Sequence, residues 1–482
     1  MARDLRLGRT RLTTAMFVVL AAIASGCAPA TQAKYVFVFI GDGMGPAQRA
    51  AAEIYLSGPQ EPNQPPRLRT LVMNSLPVHG AARSSSSDSL TTDSGAAATA
   101  IATGHKVPNA AISMDSESGR KLTTIAEIAK EQGWRVGIVS SSSINDATPA
   151  AFYAHQPTRG NLYDIAWELV DSRFDYFAGA GPFGVTPEVD KGRASPILEA
   201  NQRGVQIVRD RESLLAVRPG TGKVWARLMG SDGNNPSFAE MDRPVTQPSL
   251  ADLTRKGIEL LDNSKGFFLM VEGGNIDGTG HSHDAASSVR ETLALDQAVA
   301  EAMEFYERHP RETLIIVTAD HETGGMGLGA PGGSLFFLQE RLSRQKGSMK
   351  IFANKVVEWR QRNATFEEAV PAIKEFYGLE EIPRHQEALL AAAYAESMKE
   401  PNLRTKDATY VALYSNLDPL SAACVNYVSR RAGIGWTTYG HTAVPLPVSA
   451  IGVGSEQFTG YYENTELFRR ILAVMVPARS PR

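Results

Sequence analysis

Blocks of consecutive apolar, β-favouring residues recur along the chain, each breaking off into a polar or glycine-rich turn. They lie at 35–40, 135–140, 267–271, 313–318 and 448–453, with shorter runs at 174–177 and 205–208. Unbroken apolar runs, as opposed to alternating ones, belong to strands buried on both faces of a parallel sheet. Between them the spacing changes to that of amphipathic helices, at 46–56, 122–132, 284–307 and 463–475. The Ala-rich stretch from Ser94 onward predicts a further helix. This alternation predicts an α/β fold, a three-layer sandwich with a large, mostly parallel central sheet flanked by helices. Residues 59–69 are proline-rich and polar and predict an exposed loop. From 331 to 435 the chain is rich in Ala, Glu, Lys and Arg at helical spacing, which predicts a mostly helical insertion over one edge of the core. Residues 35–330 then form the first part of the core, and 436–476 return to it.

Composition adds a boundary and removes a class of partner. Lys plus Arg number 49 and Asp plus Glu 52, for a net charge of −3, so nothing in the balance points to nucleic acid. The first residues are unlike the rest. Arg3, Arg6, Arg9 and Arg11 precede an apolar run from Ala15 to Ala24 and then Ser25-Gly26-Cys27. A basic segment, a short apolar segment and small residues before a cut predict a secretory signal over 1–26, too short for a transmembrane helix. The ending resembles a bacterial lipobox, so Cys27 is expected to carry lipid and tether an exported protein in the periplasm or cell envelope. Removing 1–26 leaves a net charge of −6 and, besides Cys27, the single thiol Cys424. An intramolecular disulfide is then excluded, and a core of this size does not need one.

The strand ends carry the candidate chemistry. Asp42 follows the first strand between two glycines; Glu272, Asp277 and His281 follow the 267–271 run; Asp320 and His321 follow 313–318; His441 precedes the last strand. In open α/β sheets ligands sit at the carboxyl ends of strands. Mixed imidazole and carboxylate donors suit zinc-type ions, and the pure oxygen members suit magnesium. Asp93 and Ser94 open the Ala-rich helix, where a serine hydroxyl faces free backbone N–H groups and the positive end of the helix dipole. A serine there is either a plain helix cap or a nucleophile for phosphorus, and nearby metals decide between the two.

Several motifs in sequence, Asp93-Ser94-Gly95-Ala96-Ala97, Asn145-Asp146-Ala147-Thr148-Pro149-Ala150 with Arg159, Glu272…Asp277…His281, Thr318-Ala319-Asp320-His321 and Gly440-His441-Thr442, resemble the alkaline phosphatase family. They span 35 to about 460. The resemblance implies two zinc ions, one held by Asp277, His281 and His441 and the other by Asp42, Asp320 and His321. It implies one magnesium held by Asp42, Thr148 and Glu272, with Asp146 ordering its waters. Arg159 would clamp two phosphoryl oxygens, Asp93 would support the site, and Ser94 would form a phosphoserine that water then opens, with net retention at phosphorus. Small-molecule phosphomonoesters are the implied substrates, and the family's members are commonly dimers, so the resemblance admits a homodimer. Gly278 departs from well-known members, which carry Lys, His or Trp there. Related phosphodiesterases, sulfatases and phosphomutases usually place Thr or a modified residue at the nucleophile and lack the magnesium set, so Ser94, Thr148 and Glu272 argue against them. The intact nucleophile and Arg159 argue against a non-catalytic phosphate- or metal-binding lipoprotein. His283 and Asp284 match no ligand position and are expected to be structural or solvent-facing. Glu322 is expected in a supporting or loop role, and His79, His105, His155, His309 and His385 in none of the chemistry.

Replacing Cys27 by Ser is expected to move the protein from the membrane fraction to the soluble envelope fraction. Unchanged partitioning after cell fractionation would reject the lipid tether.

Overall fold

The computed structural model describes residues 32–59, 65, 67–185, 194–228, 239–330, 339–404 and 406–476. The expected signal segment and Cys27 lie outside these residues, as does most of the proline-rich loop. Eight strands come first in the chain: β1 (Tyr35–Gly41), β2 (Val78–Arg83), β3 (Arg135–Ser143), β4 (Tyr176–Ala180), β5 (Gln206–Val208), β6 (Val224–Leu228), β7 (Phe267–Gly273) and β8 (Thr313–Ala319). With Leu446–Gly452 and Gly460–Glu463 they form a ten-stranded sheet. Its order is Gly460–Glu463, β2, Leu446–Gly452, β8, β1, β7, β3, β4, β6, β5. Only Leu446–Gly452 runs against its neighbours, β2 and β8.

Every residue of β1, β7 and β8 is buried, as their unbroken apolar runs require. Odd positions of β1 (Phe37, Phe39) join one core with Phe267, Leu269 and Val271, packed by the helices Pro46–Ser57, Leu250–Leu261 and Ala285–Arg308. Even positions (Val36, Val38, Ile40) join the other core with Phe268 and Met270, under the helices Ser94–Thr103, Ile125–Glu131 and Thr465–Met475. This is the three-layer arrangement expected from the alternation. Among the described residues no helix is long and apolar enough to cross a membrane.

The register positions the chemistry. Gly41 pairs with Gly273 on one side and Ala319 on the other, so β1, β7 and β8 end level. Asp42 and Asp320 therefore leave the sheet side by side, and Glu272 sits between Ile40 and Ser140.

Between 339 and 432 the chain forms the helices Gln339–Ser343, Met349–Gln361, Phe366–Tyr377, Arg384–Met398, Ala408–Tyr414 and Pro419–Ala432. Their apolar faces, including Phe352, Trp359, Tyr377, Leu390 and Val428, are continuous with the Phe37 core. Two-residue strands at Gly327–Leu328 and Ile434–Gly435 pair where the chain leaves and returns. Other boundaries moved. The strand expected at 174–177 runs Tyr176–Ala180, because Phe174 enters the core from the preceding loop. β2 and β6 had no expectation: Val-His-Gly-Ala-Ala-Arg has little β propensity, and its pairing with Leu446–Gly452 and Gly460–Glu463 makes it a strand.

Phe37 is fully buried among Phe39, Phe267 and Phe305. Phe37→Ala is expected to cost about 3–5 kcal/mol of stability, read by chemical denaturation. A loss below about 1 kcal/mol would contradict this packing.

Candidate active site

Ser94 is the first residue of the helix Ser94–Thr103. Asp93 caps it by accepting from Ala96 N at 3.0 Å. All ten helical residues are buried, and only a run of Gly, Ala and other small residues allows that close packing. Ser94 Oγ lies 3.2 Å from His321 Nε2.

Three imidazoles converge here, and the tautomer of each follows from its outer partner. His281 Nδ1 bonds the carbonyl of Tyr439, His441 Nδ1 the carbonyl of Thr92 at 2.8 Å, and His321 Nδ1 the hydroxyl of Thr323 at 3.2 Å. The Thr323 hydroxyl itself donates to Asp277 Oδ1, so it accepts from His321. Each Nδ1 thus carries a proton, and Nε2 is the ring atom that each imidazole turns toward the carboxylates. The Nε2 atoms of His281 and His441 are 3.2 Å apart, and both lie near Asp277 Oδ1, at 3.3 and 3.4 Å. His321 Nε2 lies 3.4 Å from Asp42 Oδ1 and 3.3 Å from Asp320 Oδ2. One donor atom each from Asp42, Asp320 and His321 falls within 4.8 Å of the others, as does the trio Asp277, His321 and His441.

A third group adjoins these. Thr148 Oγ1 reaches Asp42 Oδ2 at 3.4 Å and Asp320 Oδ2 at 3.5 Å, and Ser140 donates to Glu272. Asp146 caps the one-turn helix Ala147–Ala150 and also takes Arg159 Nη2 at 2.8 Å. Arg159 Nη1 is 3.1 Å from Asp93 Oδ2. The guanidinium is thereby held between Asp93, the cap of the helix Ser94–Thr103, and the Thr148 turn, although Arg159 itself sits in a loop.

The charges call for cations. Burial, then Asp320, Asp277 and Glu272, push Asp42 well above the usual carboxylate range. Burial and Asp277 push Asp320 up to about 6. Burial, with Asp146 and Asp320, raises Glu272 to about 8 against the hydrogen bond from Ser140. Burial, then His441, lowers His321 to about 3, which keeps it neutral and able to ligate. Burial would raise Asp277, but hydrogen bonds from His281 and His441 hold it well below its usual range. Asp42 Oδ1 is buried with no hydrogen-bond partner. An orphaned buried carboxylate oxygen, converging Nε2 atoms and clustered acids form a donor set that fits divalent ions.

The family model for alkaline phosphatase matches residues 33–175 and 188–476. The chain belongs to the alkaline phosphatase family. It is 30% identical over 480 residues to alkaline phosphatase 3 of Bacillus subtilis (strain 168), covering 95% of each chain. Its fold matches the cold-active alkaline phosphatase of a psychrophilic Shewanella with a TM-score of 0.76 at 27% identity, over 92% of this chain and 100% of that one. It also matches a variant of the alkaline phosphatase from the Antarctic bacterium TAB5 with magnesium bound in its M3 site. That match has a TM-score of 0.62 at 25% identity, over 92% and 99% of the two chains. Alkaline phosphatases are metal-dependent phosphomonoester hydrolases, and this chain is such an enzyme.

Around this alkaline phosphatase site stand residues that the motifs did not single out. Thr92 and Tyr439 act through backbone carbonyls, which leave no side-chain signal. Thr323 and Ser140 are common residue types in ordinary positions. Glu322 has a loop role: it accepts from Gln48, Met326 N, Gly325 N and Thr442. Asp284 is buried and binds Ser287, Gln345 and Met349 N, so it is structural and not solvent-facing. His155 turns away to Ser113 and Glu127. Gly43, at φ 75°, passes Asp277 so closely that a Cβ would stand 2.8 Å from its Cα, whereas a Cβ at Gly278 would meet open space.

Carboxyls with raised pKa keep their protons in the metal-free fold after the unfolded chain has released them. Stability of the metal-free protein is therefore expected to fall as pH rises from the ordinary carboxylate range to about 8. Cation affinity should rise over the same interval, because binding displaces those protons. Thermal midpoints measured with chelator and with zinc plus magnesium should diverge with pH; parallel curves would count against the cluster as a cation site.

Proposed function

We propose that Ser94 Oγ attacks the phosphorus of a phosphate monoester in line with the departing alcohol, and that water then opens the resulting phosphoserine. The observation that carries this is the buried Ser94 hydroxyl, at the start of a helix and 3.2 Å from His321, beside two imidazole–carboxylate groups. On this reading Asp277, His281 and His441 hold one zinc, Asp42, Asp320 and His321 the second, and Asp42, Thr148 and Glu272 a magnesium. Bound cations at these places supply Lewis acidity, lowering the serine pKa and neutralising charge on the entering and leaving oxygens.

The chain's own groups do the rest. In the first step Ser94 gives up its hydroxyl proton to solvent, the Ser94 O–P bond forms and the alcohol O–P bond breaks, the alcohol leaving with a proton from solvent. In the second, water's oxygen bonds to phosphorus, the Ser94 O–P bond breaks, and the serine regains its proton. Two inversions give net retention. The unpaired amides of the first helical turn favour the phosphoserine anion. Asp93 and Asp146 hold one donor on each arm of Arg159, and the guanidinium's remaining donors are free for two phosphoryl oxygens. Asp146 has a second task, ordering the water around the magnesium group. The N-terminal pattern extends the reading to an exported enzyme tethered at Cys27, and the family habit to a homodimer.

In the zinc- and magnesium-loaded protein, Ser94→Ala is expected to lower turnover of a chromogenic phosphomonoester at alkaline pH by at least about 10³-fold, with metal content unchanged. Retention of most activity would sink the serine mechanism; a wild type that holds its metals and turns over nothing would sink the enzyme reading. Arg159→Ala is expected to weaken phosphate inhibition by about 10- to 100-fold. Unchanged phosphate inhibition would remove Arg159 from the site.

A further inference from the structure

His283 lies two residues beyond His281 and takes no part in the chemistry above. Its surroundings are nevertheless as specific as those of any proposed ligand. It is buried at 5% exposure, and its backbone has φ 55°, the left-handed region that side-chain-bearing residues avoid. Its ring lies flat between two others: Tyr439 at 3.9 Å and 6°, and Trp436 at 5.0 Å and 4°. Its Nε2 donates to the carbonyl of Thr438 at 2.7 Å, and its Nδ1 faces the Asn426 side-chain amide at 3.1 Å. Three contacts, to Trp436, Thr438 and Tyr439, therefore fix one short run of chain.

That run leads directly to both imidazoles of the first group. The Tyr439 carbonyl receives the Nδ1 proton of His281, and His441 follows two residues later, its own Nδ1 bonded to Thr92. The 3.2 Å approach of the two Nε2 atoms brings two like ring edges together, which the backbone has to enforce before any cation arrives. The helices at 408–432 back the arrangement. Tyr439 donates to the carbonyl of Leu413 and accepts from Asn426 Nδ2, and Ser429 donates to the carbonyl of His283.

We propose that His283 is a positioning residue: by clamping 436–439 against the helix Pro419–Ala432, it holds His281 and His441 convergent on one cation. It touches neither substrate nor the reacting atoms. This rests on the reading of Asp277, His281 and His441 as a zinc group, and it assigns the helical segment a mechanical part in that group. Outer partners of metal-binding imidazoles commonly change affinity by 10- to 100-fold when removed.

The test uses the full chain loaded with zinc and magnesium, then titrated with a competing chelator. His283→Phe keeps the flat aromatic stack and removes both polar contacts. One zinc equivalent is expected to bind about 10- to 100-fold more weakly while the other is unchanged, and activity lost at limiting zinc should return in excess zinc. Asn426→Ala, which leaves the His283 ring in place, should weaken the same equivalent to a lesser degree and serves if His283→Phe does not fold. Equal affinity for both equivalents in a folded variant, or equal weakening of both, overturns the positioning role. His281→Ala separates the two ideas: if it leaves the zinc stoichiometry of the wild type intact, the zinc group itself is misassigned.

Discussion

Three carboxylates are taken out of water at the level edge of β7, β1 and β8, and the remainder of the site answers to that constraint. Glu272, Asp42 and Asp320 stand where the register of three parallel strands leaves them no freedom to separate. Burial, and then the repulsion of neighbouring carboxylates, keeps protons on groups that would ordinarily have lost them. Such a cluster is costly unless positive charge compensates it. The imidazoles cannot supply that charge without ceasing to be ligands, since their Nδ1 protons are committed to carbonyls and a hydroxyl. The fold thus stores an electrostatic debt next to the buried serine that opens the helix Ser94–Thr103.

The same logic explains how much was visible from residues alone. Strands buried on both faces show as unbroken apolar runs, so β1, β3, β7 and β8 and the acids at their ends were legible. His441 was legible as part of a short motif, although nearly the whole chain separates it from Asp42. The strand Val78–Arg83 was not, because its neighbours and not its propensity make it a strand. Nor was the tautomer control. It resides in main-chain atoms of Thr92 and Tyr439, and a backbone carbonyl has no identity that a sequence can display. His283 was visible as a histidine but not as a buried, stacked one, since its contacts come from residues more than 140 positions away.

The helices between 339 and 432 are therefore more than a cover. Through Asp284 they are joined to the start of the long helix Ala285–Arg308, and through Asn426 and Ser429 to the loop just before it. Their apolar residues merge with the sheet's own core. Rigidity at the mouth is in this way continuous with rigidity of the interior, as expected when a site must hold several groups within fractions of an ångström.

The direction of β1 gives the molecule two poles. The strand enters beside Glu312 and Val474, to whose carbonyls Tyr35 and Ala33 are hydrogen-bonded, and it emerges at Asp42. Seven residues at about 3.3 Å each put roughly 23 Å between entry and mouth. The five residue-to-residue steps from Cys27 to Gln32 reach at most about 18 Å when fully extended. A bilayer holding Cys27 would consequently meet the entry pole, and the mouth would open toward bulk solvent, drawing its substrates from solution and not from the membrane surface.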